Sequence, residues 1–167
     1  MKRLMLLLLL LVPAGCGYRW SSSLDAGQSR TVKFEAVENR LFPHRPGLEH
    51  DLGRRIKEEI AQDRRLEVVE GAAEIVLKVS LVRFTEPNLV EDLDTGEPAE
   101  ILLRVTALVV ARGEVFAGGE SRRQITVSTT YAPALGESRA SGMERLWRDL
   151  AREVVDLAAD HEWAPRG

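Results

Sequence analysis

The chain has 167 residues, 44% hydrophobic and 29% charged, with 23 Lys and Arg against 26 Asp and Glu and a formal net charge of −3. A single cysteine excludes an internal disulfide framework, and the mildly acidic balance argues against nucleic acid as the main partner. The length suits one domain with a real core.

Residues 1–15 predict a signal peptide. Lys2 and Arg3 form a positive start, and Leu4 to Val12 is an unbroken apolar run. As a helix that run spans about 14 Å, well short of a bilayer core, so it fits a cleaved signal and not a permanent span. Small residues follow, and then Cys16. Pro13-Ala14-Gly15-Cys16 resembles the lipobox of bacterial lipoproteins, which implies cleavage before Cys16 and acylation of that residue by diacylglycerol and an N-acyl chain such as palmitate. The alternative, an incidental free thiol, leaves its position directly after the apolar run unexplained. About two buried acyl chains anchor a protein stably, and a diacylated, N-acylated cysteine exceeds that requirement. Gly17 follows the cysteine, where inner-membrane lipoproteins commonly carry Asp, so the resemblance implies an outer-membrane address. Removing residues 1–15 leaves 21 bases against 26 acids, a net charge of −5.

Residues 16–28 read as a lipidated tether, short and rich in Ser and Gly. Tyr18 and Trp20 within it fit the membrane interface or packing on the domain equally well. Residues 29–167 then form a single domain. Thr31 to Val37 alternates as a first strand, with Val32 and Phe34 on one face. Asn39 to Gly47 is a loop punctuated by Pro43, Pro46 and Gly47. Leu48, Leu52, Ile56 and Ile60 recur every four residues and predict a helix, with Glu49 and Asp51 favouring its N-terminal dipole and Arg64 and Arg65 at or past its end.

Leu66 to Val69 is a short strand or the approach to the next one. Ile75 to Phe84 and Ile101 to Arg112 alternate clearly; Gly113 to Gly119 turns the chain into Glu120 to Tyr131. These three runs predict an antiparallel meander. Glu137 to His161 predicts a long amphipathic helix carrying Met143, Leu146, Trp147, Leu150, Val154, Leu157 and Ala158. The expected fold is therefore α+β, in the order strand-helix-strand-strand-strand-helix. Two helices cover one face of a four-stranded, mainly antiparallel sheet. If the first two strands are neighbours, the helix between them is a right-handed crossover.

Nothing in this pattern predicts catalysis or a cofactor. His44, His50 and His161 lack ligand spacing, so no metal site is expected, and no nucleophile elbow or phosphate loop occurs. Asp92 to Gly96 is similar to the start of a calcium loop, but the third ligand and the distal Glu are misplaced; a hairpin tip turning at Thr95-Gly96 accounts for it better. The informative surface is the sheet face turned away from the core. It is expected to hold Val76, Lys78, Ser80 and Val82, then Leu102, Arg104, Thr106, Leu108 and Val110, then Arg122, Gln124, Thr126 and Ser128. Those positions carry three cations and no acid. Such a face suits a phosphorylated glycolipid or a partner's wall, or it is an ordinary solvated sheet face.

The ordered set of short motifs resembles the LptE family of lipopolysaccharide-assembly lipoproteins. It comprises Cys16-Gly17-Tyr18, a strand ending before Asn39, Arg45-Pro46-Gly47-Leu48-Glu49 opening the first helix, and Asp63 with Leu66 closing it. Ala73-Glu74-Ile75-Val76-Leu77 then begins a strand, and Leu150, Val154 and Leu157 lie on the last helix. The resemblance implies a non-enzymatic protein that plugs the large outer-membrane β-barrel LptD, aids its folding and binds lipopolysaccharide. It further implies residence on the periplasmic side or inside the barrel lumen. Lys78, Arg104 and Arg122 are then the expected contacts for lipid A phosphates. The rival expectations are a lipoprotein pilot or scaffold for another outer-membrane complex, and a lipid-anchored hydrolase.

Overall fold

The computed structural model describes residues 29–91, 93 and 96–159. Cys16, the signal peptide, the tether with Tyr18 and Trp20, Thr95 and His161 lie outside those residues. The elements in chain order are β1 (Arg30–Phe34), β2 (Glu38–Asn39), α1 (Leu48–Gln62), β3 (Leu66–Val68), β4 (Ile75–Thr85), β5 (Asn88–Glu91), β6 (Pro98–Arg112), β7 (Glu120–Tyr131) and α2 (Arg139–Ala159). Short 3-10 turns at Ala117–Gly119 and Pro133–Leu135 flank β7.

The expected meander is present: β4 pairs antiparallel with β6, and β6 with β7 from Ile101↔Tyr131 to Arg112↔Glu120. The four-stranded, mainly antiparallel expectation needs correction. Among the described residues the sheet has seven strands and is mixed. β1 and β2 both run parallel to β4 along one edge of it, and β3 runs parallel to β1 outside them. β5 pairs with the start of β6 on the side that β4 occupies further along. The expected first strand, 31–37, is thus split. The amide of Glu35 still reaches the Leu77 carbonyl and that of Arg40 the Leu81 carbonyl, so the chain follows β4 without continuous pairing.

Both helices bury their apolar stripes in one core with one face of the sheet. Leu52, Ile56 and Ile60 from α1 and Leu146, Leu150 and Val154 from α2 meet Ile75, Leu77, Val79 and Leu81 of β4 and Leu103, Val105 and Val109 of β6. Truncating any of these leucines or isoleucines to Ala would cost about 2–5 kcal/mol. Gly47, at φ 92°, admits the chain to α1, a conformation that glycine adopts without steric cost. Asn39 ties that helix start to β2 by donating to the Arg45 carbonyl at 2.8 Å and to Glu49 at 2.7 Å.

α2 begins at Arg139, two residues later than the periodicity predicts. Ser138 accepts the amide of Ser141 at 3.1 Å and so caps the helix, whereas the Glu137 carboxylate turns back to the amide of Ala132 at 3.0 Å. Arg65 joins the two helices, reaching both Asp63, just beyond α1, and Asp156 of α2 at 2.6 Å.

Candidate functional site

The open face of the sheet is organised in rows across the strands. One row is Val76, Arg112 and Glu120; the next is Lys78, Val110 and Arg122; then Ser80, Leu108 and Gln124. A β-bulge between Leu81 and Arg83 changes the parity of β4, and the following rows are Arg83, Thr106 and Thr126, then Thr85, Arg104 and Ser128. Directly paired residues point to the same face, so Arg83 shares the open face while Phe84, opposite Val105, turns toward the core. Simple alternation puts Arg83 on the core side, which is why it is missing from the expected set.

The three expected cations do not form one cluster. Lys78 and Arg122 flank Val110, which is only 6% exposed although it lies on the open face. Arg104 is six residues along β6 from Val110, about 20 Å away at strand spacing. Its neighbour is Arg83, one row over on the adjacent strand, a diagonal relationship of about 7–8 Å.

The expectation of an acid-free face is corrected by β2. That two-residue strand registers Glu38 against Ser80, and the Glu38 carboxylate forms an ion pair with Lys78. It also accepts from Ser80 at 3.2 Å and from Arg40 at 2.8 Å. The Lys78 hydrogen bond, aided by Arg40, lowers the Glu38 pKa to about 2. At the same end Arg112 donates to Glu120 at 2.8 Å, and Arg122 lies within electrostatic reach of that carboxylate. The cations of this half are partly neutralised by those two carboxylates.

Those of the other half are not. Among the described residues no carboxylate pairs with Arg83 or Arg104, and both are exposed. Around them lie Thr85, Thr106, Thr126 and Ser128, with the Thr106 and Thr126 hydroxyls 3.0 Å apart. Two guanidiniums among hydroxyl donors, beside the half-buried aliphatics Leu102 and Leu108, make a surface suited to an anionic group carried on an apolar body.

His44 and His50 are exposed, in the loop before α1 and on its first turn. Among the described residues no group of His, Cys, Asp or Glu could hold a metal ion, and no helix is long and apolar enough to cross a membrane. The acidic segment from Glu86 to Glu100 is partly strand. β5 pairs with the start of β6, and Glu86 is a structural acceptor for Arg139, Arg45 and the Tyr131 hydroxyl.

The hypothetical protein CT253 from Chlamydia trachomatis superposes with a TM-score of 0.58 at 11% identity, covering 79% of this chain and 96% of that one. Protein XCC0632 from Xanthomonas campestris gives 0.56 at 11% identity, covering 79% and 85%. Both are likenesses of fold. No curated protein sequence is significantly similar. The family model LptE, described as lipopolysaccharide-assembly, matches residues 29–158, from the first described residue to the last turn of α2. That match spans both helices and every strand, and the chain belongs to the LptE lipopolysaccharide-assembly family.

Proposed function

We propose that this chain is an outer-membrane lipoprotein, acylated on Cys16, that serves an LptD-like β-barrel as plug and folding aid and binds lipopolysaccharide during its delivery to the outer leaflet. The family match supports the lipopolysaccharide-assembly role at family level. Acyl chains on Cys16 would hold the domain at the periplasmic leaflet and raise its effective concentration near a membrane partner. The polar open face is compatible with a barrel lumen, which is itself polar in such proteins. The role is one of binding and assembly, not of catalysis.

The observation that carries lipid contact is the pair Arg83–Arg104. Two like charges set diagonally, without an intervening acid, repel one another, and a bound phosphate relieves that repulsion while accepting from both. Arg104 is thus the principal contact among the expected residues, with Arg83 joining it. Arg122 and Lys78 form a second, weaker station, because Glu120 and Glu38 already compete for their charge.

Binding of purified lipopolysaccharide to the mature protein tests this. Arg83→Glu with Arg104→Glu is expected to weaken binding by about tenfold or more. Lys78→Glu with Arg122→Glu is expected to do less. Undiminished binding by the first double variant rejects the assignment. Recovery of a different barrel or ring, with no lipopolysaccharide, would favour a pilot role.

A further inference from the structure

β7 is an open edge, and its backbone geometry can be assigned residue by residue. The Thr130 carbonyl receives Arg145 of α2 at 2.8 Å, so the peptide groups of Thr130 face away from β6. The amide of Leu102, registered opposite Thr130, correspondingly reaches the Pro87 carbonyl on the other side of β6. Register from Ile101↔Tyr131 to Arg112↔Glu120 has no shift, so the alternation holds along the strand. Arg122, Gln124, Thr126 and Ser128 therefore also point both backbone groups outward. The close approach of the Thr106 and Thr126 hydroxyls fits a pair without mutual backbone bonds.

Among the described residues no strand pairs with that outer edge. Exposed edges are normally kept short, bulged, or interrupted by proline or charge. β3, the opposite edge, obeys this with three residues. β7 does not: Gln124 to Thr130 is uncharged, mostly β-branched, and free of proline, glycine and bulges.

We propose that the outer edge of β7, from Gln124 to Ser128, is a strand-addition site for an extended segment of the protein's polypeptide partner. It rests on the proposed barrel partnership. Spanning strands of a closed barrel are already paired on both sides, so the added segment comes from a part of that partner outside the barrel wall. The incoming strand alternates. Its apolar residues lie beside Ile125 and Val127 on the core side, and its hydroxyl or acidic residues lie beside Arg122, Thr126 and Ser128 on the open side. A second copy of this chain fits less well, because α2 packs along β7 more closely than along β6 and two copies would crowd their helices.

Hydrogen exchange on the mature lipoprotein, alone and in the complex recovered from its own envelope, tests this. In the free protein the amides of Gln124, Thr126 and Ser128 are expected to exchange freely while those of Ile125 and Val127 are protected. In the complex the peptide spanning 122–131 slows by about tenfold or more. Thr126→Pro and Ser128→Pro remove no backbone bond to β6, although the first also removes the hydroxyl contact with Thr106, so both should fold while recovering about tenfold less partner. If either fails to fold, the exchange comparison decides. Protection of the alternate amides in the free protein, whether by residues 16–28 or by a second copy, overturns the inference. So does a wild-type complex whose exchange is unchanged, and this leaves the barrel partnership standing. A wild-type protein that brings down no barrel overturns both.

Discussion

Glu86 accepts two hydrogen bonds from Arg139, Nε to Oε1 at 2.6 Å and Nη2 to Oε2 at 3.1 Å, so the residue just beyond β4 grips the first residue of α2. Arg45 adds a contact at 3.4 Å from the loop before α1 and stacks 4.8 Å over the Phe84 ring; the Tyr131 hydroxyl donates to Glu86 at 3.3 Å. One carboxylate thus joins the sheet, α2 and the loop leading into α1. Glu86→Gln keeps the shape and loses the charge. It is expected to cost about 2 kcal/mol, a fall in Tm of about 4–8 °C. The Arg139 hydrogen bond, its largest influence, holds the Glu86 carboxyl below its ordinary pKa. The folded state therefore binds fewer protons than the unfolded one. The contribution is complete above the ordinary carboxylate range and is lost as pH falls through the lower folded value. The Tm difference between wild type and variant should narrow on acidification, and a constant gap would contradict the charge-based account.

Glu38 supplies a second acid-sensitive contact, on the open face. Its pKa of about 2, set first by Lys78, lies below the ordinary 4.5. Its stabilising contribution is present above 4.5 and disappears between there and about 2. Lys78→Met should raise the value seen by carbon NMR of the Glu38 carboxyl toward 4.5. A titration midpoint that does not move would show that Arg40 and Ser80 suffice.

The long elements show what the sequence makes visible, and the short ones what it hides. Long alternation in β4, β6 and β7 and the four-residue rhythm of α1 follow from burying one face, and hydropathy records burial directly. Glu38–Asn39 is too short to alternate, so nothing in the pattern announces that it delivers an acid to Lys78. The bulge at Leu81/Arg83 is a backbone event without a compositional mark, and it moves Arg83 from the predicted core side to the exposed one. The core was legible; the charge map of the open face depended on register.

Cysteine labelling reads that parity. Cys16 is the only native cysteine, and acylation would consume its thiol. Arg83→Cys should react with a maleimide at the rate of an exposed thiol, and Phe84→Cys much more slowly because it faces Val105 and the core. Uninterrupted alternation from Ile75 gives the inverse order, which would remove Arg83 from the proposed phosphate site.

Gly113 closes the sheet where β6 ends against the start of β4, and the reason for glycine there is contact, not dihedral freedom. A Cβ would stand 2.1 Å from the Glu74 carbonyl oxygen. That oxygen is not free to retreat. The Glu74 amide donates to the Thr31 hydroxyl at 3.0 Å, and its carboxylate accepts the Thr31 amide at 2.9 Å, so β1 holds Glu74 in place. The Gly113 amide is itself bound to the Gly119 carbonyl at 3.0 Å across the turn. Gly113→Ala is therefore expected to destabilise by about 3 kcal/mol, at the upper end of ordinary overpacking. Gly118→Ala meets no atom within 4 Å but sits at φ 78°, so its cost is only the left-handed penalty of about 1–2 kcal/mol. Gly71→Ala has neither obstacle and should be neutral or slightly stabilising through the unfolded chain. Urea unfolding of the three variants should rank them in that order. A Gly113 variant as stable as the Gly71 one would mean that β1 and β4 can separate from the turn at little cost, contrary to the anchoring role of Thr31 and Glu74.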